Sequence, residues 1–147
     1  MTRFARTSVA GAAIAAFALL ALPSAVSAQV QGRGGDPAFI AEIAEAAAVL
    51  DATTPMTVDP ITTLTNVISR GTEVIYDMAI DPAIPRDRLE ALHFAAQAHN
   101  QRNLCADTDA GNLIRMGASM RHRYSDRQGL LFETLITTCP PAAIPIS

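Results

Sequence analysis

Three histidines, two cysteines and a scatter of carboxylates are the residues of this 147-residue chain with the means to do chemistry. His93 and His99 stand six positions apart, roughly 240° around a helix, so a helix carrying both points them away from a shared metal ion. His122 sits between Arg121 and Arg123 and reads as a core-edge or surface residue. Nucleophilic catalysis needs a Ser, Thr or Cys held against a base, and no G-x-S-x-G, H-E-x-x-H or glycine-rich phosphate loop occurs. The carboxylate pairs Asp107/Asp109 and Asp77/Asp81 fall at the first turn of a helix and at a strand end, where capping and turn formation account for them. The sequence therefore predicts a non-catalytic chain with no cofactor and no metal. The arrangement that would argue for a small hydrolase instead is His93, Asp77 and Tyr76 gathered in one pocket.

The cysteines take their meaning from the first residues. Arg3 and Arg6 precede an apolar run from Val9 to Leu22, followed by Pro23 and the small-residue site Val26-Ser27-Ala28. That is a secretory signal peptide over residues 1–28, cleaved after Ala28. The run is shorter than the ~20 residues of a membrane span, so no transmembrane segment is expected after cleavage. Export places the chain in the periplasm or outside the cell, where thiols oxidise, and Cys105 and Cys139 then form a structural disulfide. Lying 34 positions apart with no C-x-x-C pair, they match neither a redox motif nor a zinc site. Closing a loop of this length stabilises by about 3–4 kcal/mol in the chain-entropy model.

Charge narrows the partners. All 11 cations are arginine, against 14 acids, for a net charge of −3. An acidic chain with scattered arginines offers no footprint for nucleic acid and no basic face for anionic lipid. One row stands out: Arg121, Arg123 and Arg127, with Arg115 near in sequence. On an uncovered sheet face this row would receive an acidic segment of a partner. The rival expectation is a solvated face on which Glu73 and Glu133 are cross-strand partners of the arginines.

Local patterns give the elements. Residues 29–35 (QVQGRGG) form a polar, glycine-rich flexible leader. Asp36-Pro37 caps and opens a helix running to Leu50, with Phe39, Ile43, Ala46 and Leu50 along its apolar stripe. Asp51 to Pro60, with Pro55 and Pro60, reads as a connector. A β-branched hairpin follows, Ile61 to Ile68 and Thr72 to Ile80 across Ser69-Arg70-Gly71. In its second strand Val74, Tyr76, Met78 and Ile80 share one face. The pattern is helical from about Pro85 to Leu104, with Leu89, Leu92, His93, Ala96, Asn100 and Asn103 on one side. A short helix from Asp107 to Met116 stops at Gly117. A second hairpin pairs Ala118 to Tyr124 with Leu130 to Thr138 over the loop Ser125 to Gly129, and residues 140–147 form an extended tail. The expected fold is one α+β domain over residues 36–139: a four-stranded antiparallel sheet of two hairpins with about three helices on one face, in the order α-ββ-αα-ββ.

The run Asn103-x-Cys105, Leu113-Ile114-x-x-Gly117, Tyr124-x-Asp126-x-x-Gly129 and Cys139 resembles a group of small exported bacterial α+β proteins with one disulfide. In layout the chain is also similar to the pilotins of type II secretion. That resemblance implies an adaptor that binds the C-terminal segment of a secretin and helps carry it to the outer membrane. Those pilotins are typically lipoproteins, whereas the site after Ala28 presents Gln29 and no lipid-bearing cysteine. The function expected is a periplasmic protein-binding or adaptor protein whose partner is an envelope protein. The alternative is a small domain that binds an envelope ligand.

Overall fold

The computed structural model describes residues 33–141. The expected signal peptide, most of the leader and the end of the tail lie outside the described residues. Helix α1 (Pro37–Asp51) is followed by strands β1 (Met56–Asp59), β2 (Thr62–Arg70) and β3 (Glu73–Ile80). A 3-10 turn at Arg86–Arg88 leads into α2 (Leu89–Ala106) and α3 (Thr108–Arg115), and β4 (Ser119–Asp126) and β5 (Gly129–Ile136) close the fold. The five strands lie side by side in chain order.

Two expectations are corrected. The sheet has five strands instead of four, because β1 forms within the stretch read as a connector. It is a four-residue edge strand between Pro55 and Pro60, exposed throughout, so it carries no buried stripe for a pattern to reveal. The sheet is also mixed instead of antiparallel. β2 pairs β3, and β4 pairs β5, as antiparallel neighbours, but β3 and β4 run parallel, with Glu73 opposite Ser119 and Ala79 opposite Ser125. The α2–α3 segment carries the chain back to the end of the sheet where β3 began, which is the crossover a parallel pair requires. The order is therefore α-βββ-αα-ββ. The second hairpin turns more tightly than expected, since its strands extend to Asp126 and Gly129.

The helices cover one face. Phe39, Ile43 and Ala47, one helical turn apart along α1, are buried over β2 with Leu64 and Val67, and Leu50 packs at the margin. The stripe follows Ala47 where the sequence pattern suggested Ala46. At the end of α1 the Asp51 carboxylate accepts the Val67 N–H at 2.8 Å, tying helix to strand. Ile114, Ala118, Met120 and Ile136 extend the core beneath α3. α2 packs along β5, and the Cys105–Cys139 disulfide joins its last turn to the chain just beyond that strand. Gly117 ends α3 at φ +109°, a conformation that disfavours any side chain. Beside it the last leader residues make a tight turn, with the Arg33 N–H donating to the Met116 carbonyl at 2.8 Å.

Candidate interaction surface

The face of the sheet away from the helices presents alternate residues of β3, β4 and β5. Register sets Arg121 between Ile75 and Leu135, and Arg123 between Asp77 and Glu133. Arg121 Nε donates to Glu73 Oε1 at 2.9 Å and its Nη1 to Glu133 Oε2 at 3.0 Å. Arg123 grips Asp77 through Nε and Nη2, at 2.6 and 2.8 Å, and Asn66 Nδ2 donates to the same carboxylate at 3.0 Å. Arg127 reaches Asp81 at 2.7 Å. The hydrogen bonds from Arg123 hold the Asp77 carboxyl below its ordinary range, and the paired acids hold Arg121 and Arg123 above theirs. These arginines thus meet Glu73, Glu133, Asp77 and Asp81, and the row has no cationic surplus. Glu73 and Glu133 are the cross-strand partners that the rival reading named. An open depression of about 440 Å³ on this face is lined by Thr65, Asp77, Arg123, Ser125, Leu130 and Glu133, among others.

The helix-covered face carries a row of rings. Tyr76 on β3 stacks on His122 of β4 with centroids 4.7 Å apart; His122 neighbours Tyr124 at 6.4 Å; Tyr124 stacks on Phe132 of β5 at 4.7 Å; and His93 of α2 lies on Phe132 at 5.4 Å. Alternation along parallel and antiparallel neighbours produces this row, because Tyr76, His122 and Thr134 share one register position and Tyr124 and Phe132 share another. His122 is only 6% exposed, and its Nδ1 has no hydrogen-bond partner among the described residues. Burial lowers its pKa from 6.5 to about 4, so the imidazole is neutral. Burial, with the Asp107 charge adding, pushes the Tyr76 hydroxyl up to about 12, and that hydroxyl donates to Met120 Sδ at 3.5 Å. Asn100 of α2 donates to the Tyr124 hydroxyl at 3.0 Å and to Thr134 Oγ1 at 2.8 Å.

The structure does not bring His93, Asp77 and Tyr76 together. Asp77 and Tyr76 are adjacent on a strand and so point to opposite faces, and His93 lies at the far end of the ring row. His99 is exposed and bonds Asn103 at 2.7 Å. Asp107 caps α3 through the Ala110 N–H at 2.8 Å, as its position suggested. Among the described residues no three or more His, Cys, Asp and Glu gather to hold a metal ion, and no helix is long and apolar enough to cross a membrane. His122, read from the sequence as a core-edge or surface residue, is buried on the helix-covered face. Its alternation with Met120 and Tyr124 was the available signal.

The third surface is the seam where α2 lies along the β5 edge. Gln97 exchanges two hydrogen bonds with the backbone of Leu135, at 3.0 and 3.1 Å, and Gln101 donates to the Thr138 carbonyl at 2.7 Å. The disulfide follows one turn later. At the other end of this seam Phe94 stands 79% exposed.

The sequence matches no family model and no curated protein. Its fold is similar to three solved structures. One is a Pseudomonas aeruginosa protein described as secreted, with TM-score 0.60 and 12% identity over 67% of this chain and 88% of that one. Another is the pilotin EpsS of the Vibrio vulnificus type 2 secretion system, with TM-score 0.57 and 20% identity over 71% of this chain and 94% of that one. The third is the type II secretion system pilotin AspS of Vibrio cholerae, with TM-score 0.51 and 19% identity over 68% of this chain and 89% of that one. At such identities the likeness is one of fold.

Proposed function

We propose that this chain is a non-catalytic adaptor of the bacterial periplasm that holds a segment of another envelope protein. The observation that carries the reading is the shared fold with two pilotins, matched over 94% and 89% of their lengths. The expected signal peptide and the disulfide support an oxidising compartment outside the cytoplasm. The resemblance drawn from the sequence makes a secretin's C-terminal segment the partner class to look for first.

The test is in-cell photocrosslinking in the native envelope. A crosslinking residue is placed in turn beside Arg121, Arg123 and Arg127 on the uncovered sheet face, and along α2. Recovery of one envelope protein from a defined cluster of positions supports the adaptor reading and shows whether the arginine row takes part. A chain that crosslinks to nothing at any position, and copurifies with a small molecule, overturns it in favour of ligand binding.

A further inference from the structure

The seam between α2 and β5 is a ladder with a missing rung. Gln97 meets Leu135, Gln101 meets Thr138 and Cys105 meets Cys139, one contact per helical turn in matching direction along strand and helix. One turn earlier, His93 leaves the seam to lie on Phe132, and Phe94 stands largely exposed. The edge beside it is open. Gln97 takes both the N–H and the C=O of Leu135, so these point away from β4, and by the alternation of an antiparallel ladder the N–H and C=O of Glu133 point the same way. Among the described residues no helix side chain caps the Glu133 backbone as Gln97 caps that of Leu135.

On the same stretch of α2 that carries His93 and Gln97 is a depression of about 590 Å³ lined by Asp87, Glu90, Ala91, His93, Phe94 and Gln97. Its two carboxylic side chains, Asp87 and Glu90, form no salt bridge among the described residues. We propose that this seam is where a partner docks, as an extended segment that adds a short strand to β5 at Glu133. The segment sets a large apolar side chain on Phe94 and an adjacent Arg or Lys against Glu90 and Asp87. The acidic lining selects the cation, and the free peptide groups select an extended backbone over a helix. The opposite edge does not offer the same site: β1 is bulged between Thr57 and Asp59 and stands between Pro55 and Pro60, features that blunt pairing. The proposal rests on the adaptor reading and names its site and partner chemistry.

The probe is a phage-displayed library of unstructured peptides, selected against the full exported chain with its disulfide intact. Enriched peptides are expected to carry an aromatic or aliphatic residue close to Arg or Lys. Phe94→Ser and the pair Asp87→Lys/Glu90→Lys should each weaken the best peptide by about tenfold or more, the scale of losing one anchor. Val58→Ser on β1 should leave it unchanged. Because Phe94 is exposed, its substitution should leave the melting temperature in place. Amide exchange at Glu133 should slow on binding. Peptides indifferent to Phe94→Ser, or bound with Glu133 exchange unchanged, overturn the seam as a strand-addition site. The envelope crosslinking separates the two claims: a partner captured away from α2 overturns the seam and keeps the adaptor, whereas no partner anywhere removes both.

Discussion

The two faces of the sheet handle polar groups in opposite ways. On the uncovered face, charges are kept and paired: Arg121 with Glu73 and Glu133, Arg123 with Asp77. On the covered face His122 is held neutral between tyrosine rings, and the amide of Asn100 satisfies two hydroxyls. The same strand, β4, supplies both sets at alternate positions. Solvent makes the difference. Partly exposed ions keep enough water to stay charged and gain little from pairing, whereas a buried ring pays its full desolvation if it takes a proton.

This contrast can be broken in graded steps. The largest effect should follow from releasing the layer that covers the inner face. The double variant Cys105→Ser/Cys139→Ser is expected to lose about 3–4 kcal/mol in urea unfolding, since the bridge closes a 34-residue separation. An unchanged midpoint would mean that α2 is held by packing and the Gln97 and Gln101 contacts alone.

Next comes acid. His122 titrates at about 4 in the folded chain against 6.5 unfolded, so between those values the unfolded chain binds more protons. Stability is therefore complete above pH 6.5, falls as pH drops, and levels off below about 4, a loss of roughly 3 kcal/mol. Asp77 adds a further loss only below its ordinary 3.8, which separates the outer-face contribution from this window. His122→Phe should flatten the upper window. Should that variant fail to fold, the wild-type imidazole followed by NMR must still titrate well below 6.5, and a normal titration would break the inner-face account.

Asn100→Ala should cost about 2 kcal/mol, because it leaves Thr134 and Tyr124 without their donor in a buried setting. On the uncovered face, Arg123→Met should cost about 0.5–1 kcal/mol, and molar salt should remove much of that difference. Arg127→Ala, at the exposed end of the row, should be indistinguishable from wild type in the same assay. If Arg123→Met proved as costly as Asn100→Ala, the two faces would not differ in the way described.

Much of this was legible from local pattern. The faces of β3 came from alternation, which needs no knowledge of neighbours. α1 was marked by Asp36-Pro37 and the Phe39–Ile43 spacing, and the stop after α3 by Gly117. The disulfide followed from two cysteines in a chain expected to be exported. β1 was illegible, because an exposed four-residue strand between prolines owes its form to pairing with β2 and has no periodicity of its own. The start of α2 moved from Pro85 to Leu89 because the chain first takes a 3-10 turn.

The sequence by itself determined which residues of β3 alternate, where α1 begins and α3 stops, the charge balance and the cysteine pair, since all of these rest on backbone geometry and solvation within a few positions. Only the tertiary structure decided that the two hairpins meet as a parallel pair through β3 and β4. Only that meeting put Glu73 beside Arg121, Tyr76 beside His122, and Gln97 on the β5 edge with Phe94 left bare. Such contacts join residues about 40 or more positions apart, and no local preference specifies them; they follow from how one crossover brings the strands back side by side.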